Sequence, residues 1–157
     1  MIWKGAGTVK LVITNREYNV PSQTLIDQVQ TIIDPTQNRG EGLGLAPIDH
    51  EVTVEGVSGT NIDIESRLSF APGWTLERCL PYIKESLDNY YKELNSTWRD
   101  EENLIVRIAQ IESRILSLPG VVDIKNTIIN ETDVNVTLEE NAVAVRVELI
   151  FEEFQQQ

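Results

Sequence analysis

The chain has 157 residues, 41% of them apolar and 24% charged, which is the balance of an ordinary folded protein with enough apolar material for its own core. The 13 basic residues stand against 25 acidic ones, a net charge of −12 with no Lys/Arg cluster, which argues against binding nucleic acid or an anionic membrane surface. No apolar run reaches the length of a membrane span and no signal peptide opens the chain; the one cysteine, Cys79, permits no internal disulfide, so the chain reads as intracellular and reduced.

Residues 8–14, TVKLVIT, are β-branched and apolar and predict a strand. A turn-like stretch to Pro21 follows, and Ser22 is placed to cap a helix to about Ile33, with Leu25, Ile26, Val29, Ile32 and Ile33 on one face. Asp34-Pro35 stops that helix, because a residue before proline is pushed out of helical geometry. Next comes the loop NRGEGLGLAPIDH, with Gly40, Gly42 and Gly44, then Ala46-Pro47, then His50, the one histidine. Residues 51–57, EVTVEGV, alternate as a strand with Val52 and Val54 facing one way.

A turn at residues 58–60 is expected to lead into a half-buried strand, with Ile62, Ile64, Ser66 and Leu68 on one face and Asp63, Glu65, Arg67 and Ser69 on the other. Pro72-Gly73-Trp74-Thr75 enters a long helical pattern carrying Leu76, Cys79, Leu80, Ile83, Leu87, Tyr90, Tyr91 and Leu94. Pro81 implies either a start near that residue or a kinked first turn. A break at residues 100–103 precedes a second helix on Leu104, Ile108, Ile111, Ile115 and Leu118, ended by Pro119-Gly120. Strands follow at 121–129, 134–138 and 142–151, the last two joined by a tight turn at 139–141, and the tail after Phe154 is expected to fray.

This order predicts an α+β fold of two small modules, 1–57 and 58–157, each of mainly antiparallel sheet with helices packed on one face. A short echo, Pro21 to Leu25 against Pro72 to Leu76, hints at duplication without establishing it.

The glycines fit a structural loop better than a phosphate cradle. A dinucleotide or P-loop site needs a strand before the glycines and a helix after them, and here a helix ends before and a strand follows. The P-loop lysine is missing too, since Leu45-Ala46 follow Gly44. His50 beside Asp49 and Glu51 suggests a general base or metal ligand, yet no second histidine or further cysteine completes a set. Asp63 and Glu65 are paired carboxylates, a pattern that serves glycosidases and equally a solvated strand face. Cys79 sits on an apolar stripe and reads as a small core residue. Trp74, Tyr90, Tyr91 and Trp98 suit either a core or a partner face, with Tyr91 and Trp98 the better exposed candidates. The acceptor patterns at Asn95, Asn130 and Asn135 carry no weight without a secretion signal.

Three stretches, GEGLGLAPIDHEVTVEG, IDIESRLSFAPGWTLERCLPYIKESLDNYYKEL and LIVRIAQIESRILSLPGVVDI, resemble the baseplate J-like family of wedge-type baseplate proteins in contractile-tailed phages and defective prophages. The resemblance spans about residues 5 to 150, with glycine common in the family where Asp49 stands. It implies the C-terminal part of a longer protein, with Met1 an addition. It also implies a structural role: made in the bacterial cytoplasm, then built into the tail baseplate beside other baseplate and tail subunits, ring-forming only in the assembled particle. It carries over no catalytic residue, metal or cofactor. Gly40, Gly42, Gly44 and Pro47 become a candidate contact or hinge loop, and Tyr91 and Trp98 a candidate partner face. The alternative is a small-molecule-binding or hydrolytic domain using His50, Asp49 and nearby carboxylates.

Overall fold

The computed structural model describes residues 4–155; Met1 and the last two residues of the tail expected to fray lie outside them. The chain divides into two compact units, to Ser58 and from Gly59.

In the first unit, β1 (Thr8–Ile13), α1 (Gln23–Ile33), a short 3-10 turn (Thr36–Asn38) and β2 (Glu51–Gly56) follow in order. The Ser22 hydroxyl accepts from the Leu25 amide at 3.2 Å and caps α1. β1 and β2 pair in parallel, from Thr8 opposite Glu51 to Ile13 opposite Gly56. Val9, Leu11, Ile13, Val52 and Val54 line one face, where Ile26, Val29 and Ile33 of α1 and the loop residue Ala46 cover them. Lys10 and Glu55 form an ion pair of 2.6 Å between the two strands.

The other edge of β2 is closed by side chains rather than by a strand. Gln30 donates to the Val52 carbonyl at 2.9 Å and accepts from the Val54 amide at 2.8 Å. One Asp34 oxygen accepts from the Val52 amide at 2.9 Å, the other from Gly40 at 3.0 Å. Both side chains are buried, and both satisfy strand groups that would otherwise be orphaned.

The second unit contains β3 (Ser58–Phe70), α2 (Leu76–Ser96), β4 (Ile105–Val106), α3 (Ile108–Leu116), β5 (Val121–Ile129), β6 (Val136–Thr137) and β7 (Ala142–Glu153). Its main sheet has the order β5-β3-β7, with β4 and β6 forming a separate pair. Ile62, Ile64 and Leu68 of β3 pack against Cys79, Ile83, Leu87, Tyr90 and Tyr91 of α2 and Ile111 and Ile115 of α3. α2 starts at Leu76 with Thr75 as its cap, and Pro81 stands inside it, so the helix does not wait for the proline. Asn95, at the end of α2, repeats the edge device of the first unit. Its amide donates to the Ala144 carbonyl at 3.0 Å and accepts from the Ala144 amide at 2.8 Å.

The α+β class expected from the sequence holds. Antiparallel pairing holds for β3 with β5 and β4 with β6. β1 and β2 are parallel instead, because the connection between them contains α1 and returns the chain to the same end. β7 also runs with β3: Asp63 meets Glu148, Arg67 meets Glu152 and Leu68 meets Phe154, rising together along both strands. Alternation along a strand reports a half-buried face and says little about the direction of its neighbour. Residues 58–60, expected as a turn, belong to β3. Leu104, expected on the second helix, precedes β4, and α3 begins only at Ile108.

Candidate functional site

The glycine loop caps the helix that precedes it. An α-helix ends with carbonyls that lack partners. Here the Leu45 amide donates to the Ile32 carbonyl at 3.0 Å and the Ala46 amide to Ile33 at 2.8 Å. This brings the loop backbone against the helix end at Gly44, where a β-carbon would collide with the Ile33 carbonyl and sit 2.7 Å from that of Ile32. Gly40 and Gly42 have φ of 73° and 69°, a region open to glycine. The Asp49 amide donates to the Gly40 carbonyl at 2.8 Å and closes the loop on itself, and the His50 amide donates to the Pro47 carbonyl at 3.1 Å. Asp49 itself has φ 65°, a left-handed conformation that costs a residue carrying a β-carbon.

The side chains of this loop are inverted relative to a core segment. Gly44 and Ala46 face the body of their own unit, and Ala46 is buried. Leu43, Leu45 and Ile48 are 67%, 74% and 67% exposed, and Ile32, whose carbonyl Leu45 bonds, is 57% exposed. Gly40, Gly42, Gly44 and Pro47, predicted from the sequence as one loop, therefore form the frame of a fixed apolar projection.

The chemical candidates are not drawn together. His50 is exposed, and its Nδ1 lies 3.2 Å from the Ile48 carbonyl. Among the described residues no cluster of His, Cys, Asp or Glu is arranged to hold a metal ion. Asp63 accepts from the Glu148 amide at 3.0 Å and so tethers β7; with Glu65 it borders a cavity of about 80 Å³. Cys79 is fully buried, its Sγ 3.8 Å from the Pro119 carbonyl, and burial pushes its thiol pKa up, against thiolate chemistry.

Tyr91 and Trp98 do not form an exposed partner face. Tyr91 is 4% exposed and packs in the core, its ring centroid 5.5 Å from that of Tyr90, and Trp98 is half-buried against the same core. The stripe of α2 that carries Leu87 carries the Tyr91 ring inward one turn later, while Trp98 follows the end of the helix. Two of the motifs that prompted the resemblance meet as a joint. Trp74 lies so close over Gly120 that a β-carbon there would overlap the ring, and the Ala71 amide donates to the Gly120 carbonyl at 2.9 Å.

The comparisons divide the chain as follows. The model of the baseplate J-like central domain matches residues 1–56, and that of the baseplate J-like protein C-terminal domain matches residues 62–152. Phage-like element PBSX protein XkdT of Bacillus subtilis (strain 168) is 32% identical over 137 residues, 87% of this chain. The uncharacterized protein YqbT of the same strain is 30% identical over 137 residues, again 87% of this chain. The chain spans 37% of the length of each of these relatives.

Proposed function

The chain belongs to the baseplate J-like family, and from that premise we propose that it is a structural component of the tail baseplate of a contractile phage or phage-like particle. It acts through protein–protein contacts and contributes no catalytic chemistry of its own. The observation that carries this reading is the succession of two baseplate J-like domains, central then C-terminal, over residues 1–56 and 62–152. A relative bearing the words phage-like element in its name supports the same setting.

The chemistry of the chain agrees with a contact role. The glycine loop is fixed by its own hydrogen bonds and turns apolar side chains outward, as a preorganised contact does. A net charge of −12 keeps free chains apart before assembly and steers them toward basic neighbours. Ring formation then belongs to the assembled particle, after synthesis in the bacterial cytoplasm. His50 and its neighbouring carboxylates serve the loop's shape in this reading, not hydrolysis.

Mass spectrometry of contractile tails purified from the source cells tests the proposal. The chain is expected in the tail fraction at a fixed ratio to the sheath subunit. Its absence from intact tails that retain their baseplates refutes the reading.

A further inference from the structure

We infer that Ile32, Leu43, Leu45 and Ile48 form a docking knob for a different tail subunit, one whose surface offers an aliphatic socket rimmed by lysine or arginine. This rests on the baseplate reading and adds to it the surface used and the chemistry of the partner.

Three observations carry it. The first is the inverted pattern of the loop. In GLGLAPI the small residues Gly44 and Ala46 face the unit's own body, while Leu43, Leu45 and Ile48 project into solvent. Burial of large aliphatics is the main drive of folding, and four of them left out together, on one helix end and the loop bonded to it, form the kind of patch that marks an interface.

The second is rigidity. The bonds of Leu45 and Ala46 to α1, of Gly40 to Asp34 and of Asp49 to Gly40 leave the projection little freedom to fold back over itself. Little ordering is left to occur on binding.

The third is charge, and it selects the occupant. Asp27 borders the same shallow groove of α1 as Ile32; Glu41 and Asp49 lie on the loop, and Glu51 reaches Gly40. All four carboxylates are exposed, and none has an ion pair among the described residues. The nearby Arg39 is turned to the Thr53 hydroxyl at 3.5 Å. Two copies of the knob set face to face would bring like charges together, whereas a basic rim complements them.

The test places a photoreactive residue at Leu45 of the full-length protein and irradiates purified tails. The expected product joins Leu45 to a different tail subunit, at a segment with lysine or arginine among aliphatic residues. A product with a second copy, or no product although the chain is in the tails, overturns the inference and leaves the baseplate reading standing. Absence of the chain from the tails overturns both. In a parallel arm, Leu45→Ser and Ile48→Ser are expected to keep the unfolding midpoint of the isolated chain while lowering its incorporation into tails at least tenfold. Normal incorporation of the doubly substituted chain overturns the inference as well.

Discussion

In Gly44→Ala, the added methyl would meet the carbonyl oxygens of Ile32 and Ile33, both in backbone that cannot step aside as a flexible side chain does. The loop must lift from the end of α1. That separates two hydrogen bonds, Leu45 to Ile32 at 3.0 Å and Ala46 to Ile33 at 2.8 Å. At about 0.5–1.5 kcal/mol net for each, the loss is about 1–3 kcal/mol. Exposure of Ala46, now buried, adds to it. Amide hydrogen exchange measures this locally. At about 1.4 kcal/mol per factor of ten, the Leu45 and Ala46 amides should exchange roughly 5- to 150-fold faster in the variant, while amides of β3 keep their rates. Alanine at position 44 with unchanged protection at residues 45 and 46 would refute the argument that the glycine is required by close approach to the helix end.

Three further outcomes are expected. Asn95→Ala leaves the buried amide and carbonyl of Ala144 unpaired, at about 1–3 kcal/mol each, so urea denaturation should register a loss of about 2–6 kcal/mol; a change below about 1 kcal/mol would contradict the edge-sealing role. Asp49→Gly is expected to hold or raise stability and Asp49→Val to lower it by about 1–2 kcal/mol, since φ is 65° there; thermal unfolding that favours valine would show that the strain is misassigned. Burial pushes the phenol pKa values of Tyr90 and Tyr91 up. The unfolded chain then releases those protons first, so stability is full below about pH 10, the ordinary tyrosine value, and falls above it by up to about 1.4 kcal/mol per pH unit for each. Tyrosinate absorbance from Tyr91 should therefore appear together with loss of the helical circular dichroism signal, and its ionisation at the ordinary tyrosine pH in the folded chain would contradict the burial.

Much of this fold is legible in the chain, and the illegible parts have physical reasons. Ser22 capping α1 and the stop at Asp34-Pro35 are local signals, set by side-chain hydrogen bonding and by proline geometry. The direction of β2 is not local, since it depends on where α1 delivers the chain. Tyr91 could be assigned to the core or the surface from its sequence position alone, and only the packing of α2 against the sheet decides for the core.

The site was half legible in the same sense. The glycines marked the loop, and its place between a helix end and a strand argued against phosphate binding. The outward turn of Leu43, Leu45 and Ile48 depends on which residues touch α1, which no periodicity reports. No motif announces the edge-sealing roles of Gln30, Asp34 and Asn95, yet the pattern carries a signal for two of them. Gln30 lies between Val29 and Ile33, and Asn95 follows Tyr91 by one helical turn, so each is a polar residue set beside an apolar stripe. Such a residue is buried only with its hydrogen bonds satisfied, and at both positions a strand edge satisfies them.

Membership in a baseplate family is shown, whereas a place in the baseplate is the proposal, and immunogold electron microscopy tests it most directly. An antibody against this chain is applied to particles from an induced culture of the source cells. Gold is expected at the distal end of contractile tails. Particles with intact, accessible baseplates but no gold, with the antigen confined to the soluble fraction, would contradict it.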